Sequence, residues 1–108
     1  MSLIIATGSN VGDCLSNLTL AKKELQKFFD LIAQSNIYFS DPVEYLKQDK
    51  FYNQVLEFKL TNLSPLEVFR IISNIEKKMG RNKVINKGPR NIDLDLILYE
   101  NQVLQHER

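Results

Sequence analysis

The chain has 108 residues, the size of one average domain and too few for two well-filled cores. Hydrophobic residues make up 44% and charged residues 25%, which excludes a disordered, collagenous or coiled-coil chain. Fourteen Lys and Arg against thirteen Asp and Glu leave a formal charge of +1, so no bulk field attracts nucleic acid or an anionic membrane. We expect one domain over residues 1–108.

Two features of the sequence indicate the cellular compartment: the single cysteine, Cys14, and the short length of the apolar runs. One cysteine forms no intrachain disulfide, and the apolar stretches fall well short of the roughly 20 residues that cross a bilayer. No charged leader precedes a long apolar run. The sequence therefore predicts a cytoplasmic protein that has no nucleic-acid or membrane partner.

The first half of the chain predicts two strands around one helix. Residues 3–6 are a short apolar run closed by Gly-Ser-Asn at 8–10, which is typical of a buried, central strand. Helical spacing from Asp13 predicts an amphipathic helix with an apolar side of Leu15, Leu18, Leu25 and Phe28. Its opposite side carries Lys22, Lys23, Glu24 and Lys27. Residues 31–39 predict a weaker second strand, ended by Pro42, and residues 41–50 a loop.

The second half of the chain also predicts two strands around one helix. Residues 51–60 alternate between apolar and polar, which indicates a half-buried strand with Asn53 on its polar side. Ser64, Pro65 and Glu67 form a capping box that starts a second helix, and Gly80 ends it in a left-handed cap. A basic loop at 81–90 leads to a last strand at 92–99. The order β-α-β-β-α-β predicts an α+β, ferredoxin-like sandwich with a four-stranded antiparallel sheet and both helices on one face.

Asp93 and Asp95 are the most informative polar pair. Alternation in a strand directs Leu94 and its apolar neighbours to the helices and both aspartates to the open face. Two carboxylates about 6–7 Å apart need a compensating cation, and Mg²⁺ bound together with phosphates is the natural one. An ordinary polar outer face is the alternative.

Basic residues lie beside this pair in the loop, at Arg81, Lys83, Lys87 and Arg90. Cations next to two acids predict a metal-phosphate site for phosphoryl transfer, which requires no nucleophilic side chain. A solvated basic loop paired with the strand is the alternative. The Gly-rich turn at 8–13 lacks the Lys-Ser/Thr of a P-loop and is interpreted as structural, with Asp13 near the helix N-terminus. Cys14 and His106 have no visible partner.

Four segments together resemble the 6-hydroxymethyl-7,8-dihydropterin pyrophosphokinase family. They are T-G-S-N-V-G-D at 7–13, F-Y-N-Q-V at 51–55, E-K-K-M-G-R at 76–81 and G-P-R-N-I-D-L-D-L-I-L-Y at 88–99. The resemblance implies the ferredoxin-like fold and a Mg²⁺-dependent diphosphotransferase of folate biosynthesis. Such an enzyme moves the terminal diphosphate of ATP to the hydroxymethyl oxygen of the reduced pterin and releases AMP.

The same resemblance implies roles for single residues. Asp93 and Asp95 would hold two Mg²⁺ ions that bridge the ATP phosphates, with Asp93 also near the attacking hydroxyl. Positions that neutralise phosphate charge or contact ATP match Glu76, Arg81, Lys83, Arg90 and Arg108, of which Arg81 and Arg90 are counted with the aspartates as catalytic. Positions around the pterin match Gly8, Ser40, Val43, Phe51, Asn53 and Asp93, and Asn53 would read the pterin edge.

Three positions depart from the family pattern. Lys83 stands where many members carry arginine, and Lys87 where many carry a tryptophan that closes over the pterin. The chain ends at Arg108, where the family usually continues through an L-x-x-P-H motif, so the resemblance is to a C-terminally short member. The alternative expectation is therefore a non-catalytic ferredoxin-like module that binds pterin or nucleotide and is inactive because those site residues are missing. An RNA-binding module of similar topology would need stacking aromatics in the right strand motif and a basic surface, and the sequence has neither.

Overall fold

The computed structural model describes residues 2–40, 51–80, 91–100 and 102–103. Its elements are β1 (Ser2–Ser9), α1 (Cys14–Gln26), β2 (Leu31–Gln34), β3 (Tyr38–Ser40), β4 (Phe51–Lys59), α2 (Pro65–Lys78), β5 (Asp93–Glu100) and β6 (Gln102–Val103). The strands lie in the order β2-β4-β1-β5-β6, with β3 also paired to β4, and every pairing is antiparallel. This order confirms the predicted α+β, ferredoxin-like fold and its central first strand.

Both helices cover the same face of the sheet. The hydrophobic core joins alternate residues of β1, β4 and β5 to the inner sides of α1 and α2. Its largest fully buried side chains include Leu3, Leu18, Phe58, Ile72 and Leu94. Residues that alternate with these on the strands, such as Ile4, Ala6 and Val55, are half-buried on the other side. We call that second side the open face.

The capping box of α2 has the predicted hydrogen bonds. The Ser64 hydroxyl accepts from the backbone N–H of Glu67 at 3.2 Å, and the Glu67 carboxylate accepts from the backbone N–H of Ser64 at 3.0 Å. At the other end Gly80 has φ of 77° and its N–H donates to the Lys77 carbonyl. A positive φ is open to glycine without a steric penalty, so the sequence prediction of both ends is confirmed.

The apolar side of α1 differs from the prediction. Leu18, Ala21 and Leu25 are buried, whereas Leu15 and Phe28 are 51% and 54% exposed. Glu24, predicted on the solvated side, is buried and forms ion pairs with Lys78 of α2 at 2.8 Å and Lys27 at 2.9 Å. Glu24 faces α2 because a cation of that helix meets it there. The helix begins as expected, with the Asp13 carboxylate accepting from the Ser16 N–H, and this hydrogen bond lowers the pKa of Asp13.

The single strand predicted over 31–39 is interrupted. Gln34 pairs with Leu56 and Tyr38 with Asn53, so four steps on one strand match three on β4. The strand is interrupted at Ser35. The Ser35 hydroxyl accepts a hydrogen bond from the Val55 N–H at 2.9 Å, in place of a backbone carbonyl. Strands β2 and β3 therefore lie along the same edge of β4 as two short pieces. The two-residue β6, which pairs with Leu98 and Tyr99, was not predicted.

Among the described helices none has the length and apolar character needed to span a membrane.

Candidate active site

Three strands bring residues from distant parts of the sequence into one row on the open face. Gly8 of β1 is the direct partner of Asn53 on β4 and of Asp93 on β5, and Asn53 is in turn the partner of Tyr38 on β3. Directly opposed residues of an antiparallel pair direct their side chains to the same face. We call Tyr38, Asn53, Gly8 and Asp93 the open-face row.

Gly8 leaves the middle of the open-face row without a side chain. A Cβ placed on Gly8 would lie 3.2 Å from Oδ1 of Asn53 and 3.5 Å from Cδ1 of Phe51. Its φ is not among the positive ones, so close approach and not backbone strain accounts for glycine here. The floor between Asn53 and Asp93 is therefore low enough for a flat molecule to lie over β1.

The amide of Asn53 is held in one orientation. Its Nδ2 donates to the Phe51 carbonyl at 3.2 Å and to the Tyr38 carbonyl at 3.4 Å. With the nitrogen directed to these carbonyls, Oδ1 lies over Gly8. An acceptor oxygen at the edge of a low floor can receive an N–H from a heterocycle.

The two aspartates lie on β5 as predicted, with Asp93 half-buried and Asp95 exposed. Their backbone positions are about 7 Å apart, given the rise of an antiparallel strand. Asp93 lies beside Gly8, and Asp95 lies beside Ala6 in the next row. The two smallest residues of the central strand thus flank the two carboxylates, and they leave space above β1 for a ligand.

This pair fits Mg²⁺. Among the described residues no three His, Cys, Asp or Glu side chains gather into one group, so this part of the chain offers a metal two carboxylates. Mg²⁺ is usually bound through one or two carboxylates and completes its shell with waters and substrate phosphates. A dedicated cage of protein ligands, as Ca²⁺ or structural Zn²⁺ requires, is absent from the described residues.

Glu76 lies on the other side of the sheet. It is only 3% exposed, and its Oε2 accepts a hydrogen bond from the backbone N–H of Leu94 at 2.8 Å. The acid therefore meets β5 between the two aspartates, from the helix side. The sequence marked Glu76 through the family resemblance, but neither periodicity nor spacing indicated this contact, since it joins residues 18 apart in the chain.

The remaining predicted residues are placed as follows. Phe51 is half-buried on the open face, two residues along β4 from Asn53, and the backbone of Ser40 pairs with it. Val43, Arg81, Lys83, Arg90 and Arg108 lie outside the described residues. A depression on the outer side of α1, lined by Leu15, Ser16, Thr19, Leu20 and Lys23, is on the helix side and shares no residue with the open-face row.

Known proteins match the chain over nearly its whole length. Residues 4–108 match the model of the family described as 7,8-dihydro-6-hydroxymethylpterin-pyrophosphokinase (HPPK). The 2-amino-4-hydroxy-6-hydroxymethyldihydropteridine pyrophosphokinase of Aquifex aeolicus is 36% identical over 96% of this chain and 64% of that protein. The enzyme of the same name from Bacillus subtilis is 36% identical over 96% of this chain and 63% of that protein.

A longer eukaryotic protein matches as well. The folic acid synthesis protein fol1 of Schizosaccharomyces pombe is 38% identical over 95% of this chain and 14% of that protein. The chain thus spans less than two-thirds of the length of the curated relatives named here. The family model covers almost all of the chain, and the fold agrees with the one that the resemblance implies. The chain belongs to the HPPK family.

Proposed function

We propose that the chain transfers a diphosphate from ATP to 6-hydroxymethyl-7,8-dihydropterin and releases AMP. The open-face row carries the proposal, because an amide oriented for a heterocycle, that of Asn53, and one carboxylate of the pair suited to Mg²⁺, that of Asp93, lie on either side of Gly8. The names of the relatives from Aquifex aeolicus and Bacillus subtilis support the same substrate and reaction class. We place the reaction within one domain spanning residues 1–108 and in the cytoplasm.

The pterin would lie over Gly8. Oδ1 of Asn53 accepts an N–H from the pterin edge, and the ring of Phe51 borders the same floor. Ser40 and Val43 complete this side of the pocket in the proposal. A substrate held in this way directs its hydroxymethyl group along the open-face row toward Asp93, since Asp93 is the partner of Gly8 on the far side of β1.

Asp93 and Asp95 would hold two Mg²⁺ ions. Bound at these carboxylates, the ions neutralise and orient the ATP phosphates. Arg81, Lys83, Arg90 and Arg108 would add positive charge around the phosphates, and Glu76 lies behind the two aspartates, on the helix side of β5. Asp93 also orients the attacking hydroxyl, because it lies in the open-face row with the pterin-binding residues as well as beside Asp95.

The reaction needs no nucleophilic side chain. The hydroxymethyl oxygen forms a bond to the β-phosphorus in line with the bond that breaks, which joins that phosphorus to the oxygen bridging to the α-phosphate. AMP leaves with this oxygen, and the hydroxyl proton is lost to solvent or to a carboxylate. The β- and γ-phosphates stay together on the pterin.

Label transfer from ATP tests the proposal. With ATP labelled with ³²P at the β-position, Mg²⁺ and the pterin, we expect the label in pterin diphosphate and an equal amount of unlabelled AMP. Asp95→Asn should remove this transfer, and Glu57→Gln, which changes a carboxylate elsewhere on the open face, should retain it. Calorimetric binding of the pterin and ATP without any label transfer would instead establish the non-catalytic binding module, and label in ADP would exclude diphosphate transfer.

A further inference from the structure

A buried acid reaches β5 from behind the two aspartates. Glu76 lies on the inner side of α2 beside core residues such as Ile72 and Ile75. Burying a carboxylate is costly unless hydrogen bonds compensate for the lost water, and one of those bonds comes from the N–H of Leu94. Packing alone would favour an apolar side chain at this position, so the acid is best explained by what it binds.

The hydrogen bond lies near the start of β5, ahead of the residues that pair with β6 in the described part of the chain. On one side β5 pairs with β1, and Leu94 is opposite Thr7. On the other side, within the described residues, β6 pairs only with Leu98 and Tyr99, which lie further along the strand. The N–H of Leu94 is bonded instead to a side chain of α2.

A second link joins the same two elements. Nδ2 of Asn91 donates a hydrogen bond to the carbonyl of Met79 at the end of α2. The backbone that carries Asp93 is therefore attached to α2 on both sides, at Asn91 and at Leu94. Helix α2 is itself joined to α1 through the ion pair of Lys78 and Glu24.

We propose that Glu76 is a positioning residue for the pair of Asp93 and Asp95. By holding the N–H of Leu94, its carboxylate sets the path of the backbone from which both aspartates project. Mg²⁺ requires near-ideal ligand geometry, so a small displacement of β5 weakens the site. This role differs from the nucleotide contact that the family resemblance implies, and it rests on the proposed function because the cation is the one that accompanies ATP.

Amide NMR of the nucleotide-free protein tests the first step. A carboxylate acceptor strengthens the hydrogen bond, so the amide proton of Leu94 should resonate downfield. Glu76→Gln retains an acceptor oxygen without the charge and should move this proton upfield, and Glu76→Ala should move it further. Glu57→Gln is the matched control, since it neutralises a half-buried acid of β4 that is not on α2, and it should leave Leu94 in place.

Manganese binding tests the second step. Mn²⁺ is a paramagnetic probe for Mg²⁺ sites, and its binding broadens the amide signals of residues 93–95. We expect Glu76→Gln to bind within about threefold of the wild type and Glu76→Ala about tenfold more weakly or worse. In label transfer, Glu76→Ala should raise the Mg²⁺ concentration for half-maximal rate by a similar factor and leave KM for the pterin unchanged.

Two results would overturn the proposal. One is a Leu94 amide that stays in place in Glu76→Gln, a variant that conserves the shape of the side chain and so decides the question even where Glu76→Ala fails to fold. The other is equal Mn²⁺ affinity in the wild type and Glu76→Ala. Neither result depends on turnover, so the proposed function is tested separately, by label transfer in the wild-type chain.

Discussion

At the scale of single residues, a change at Asp95 should affect ligand binding without affecting the stability of the fold. It is exposed on the open face, and its neighbour across the sheet is the small Ala6. Asp95→Asn should therefore change the free energy of unfolding by less than ~0.5 kcal/mol, since exposed positions tolerate polar replacements. We expect it to abolish the Mg²⁺-dependent tightening of ATP-analogue binding, because one of two metal-binding carboxylates is lost. Urea denaturation and calorimetry measure the two effects.

Glu57 provides the comparison for this prediction. It is half-buried on the open face of β4, opposite Ile4, and it belongs to neither row that carries an aspartate. Glu57→Gln removes the same charge from the same face and should leave Mg²⁺-dependent binding at the wild-type level. If Asp95→Asn unfolds, Asp95 is a structural residue. If both variants lose Mg²⁺-dependent binding equally, the net charge of the open face controls binding and Asp95 has no specific role.

Gly8 is predicted to separate pterin binding from ATP binding. In Gly8→Ala the new Cβ meets Oδ1 of Asn53 at 3.2 Å, so the amide has to shift by a few tenths of an ångström and the floor rises. We expect pterin affinity to fall about tenfold, which corresponds to ~1.4 kcal/mol, while ATP-analogue affinity stays within about twofold. Fluorescence titration with each ligand distinguishes the two, and unchanged pterin affinity would place the pterin away from β1.

At the scale of the elements, the ion pair between α1 and α2 makes stability depend on acid. Hydrogen bonds from Lys78 and then Lys27 hold the pKa of Glu24 below its ordinary value of 4.5. A lowered folded pKa means that this contribution is fully present above about pH 4.5 and is lost as the pH falls through the folded value. Glu24→Gln should therefore flatten the loss of stability as the pH falls below about 4.5.

Thermal unfolding of both proteins across this pH range measures the effect. Glu57→Gln serves as the control, and it should retain the wild-type slope. The partner effect has the opposite sign, since the bond to Glu24 raises the pKa of Lys78 above 10.5. That contribution is present below about pH 10.5 and is lost only as the pH rises through the raised value. Parallel acid curves for the wild type and Glu24→Gln would contradict the account of this ion pair.

The capping box makes a prediction for α2. Ser64→Ala removes the acceptor for the N–H of Glu67, and we expect the free energy of unfolding to fall by ~1 kcal/mol. Ser64→Asp restores an acceptor at the same position and should recover most of the loss. Urea denaturation checks both variants. A Ser64→Ala protein as stable as the wild type would mean that packing of the helix outweighs its cap.

The sequence predicts those element boundaries that depend on residues close together in the chain. The ends of α2 depend on Ser64, Glu67 and Gly80, which act within a few residues, and the structure confirms them. Glu24 was misplaced because helical spacing assigns charged residues to solvent, and its cation comes from a helix 54 residues away. The break between β2 and β3 was missed since it depends on a bond from Val55 to Ser35, which periodicity does not contain.

At the scale of the whole molecule, the sheet brings the site together from three distant segments. The alternation of β5 predicted that Asp93 and Asp95 share a face, and the structure confirms it. Their position beside Gly8 and Asn53 depends on the register of β1 with β4 and β5, which spans 45 and more residues of chain and has no local signature. The family resemblance named these residues together, and the register supplies the physical reason why they meet.

The location of ligands on the open face is the central claim, and amide NMR with both ligands tests it most directly. The chain is titrated with Mg²⁺ and α,β-methylene-ATP, in which carbon replaces the oxygen of the bond that breaks, and then with the pterin. We predict that the pterin produces its largest amide shifts at Gly8, Asn53 and Asp93, and that replacing Mg²⁺ by Mn²⁺ broadens residues 93–95 most strongly. Shifts centred on the outer side of α1, around Leu15 and Leu20, with no change along the open-face row, would contradict the account.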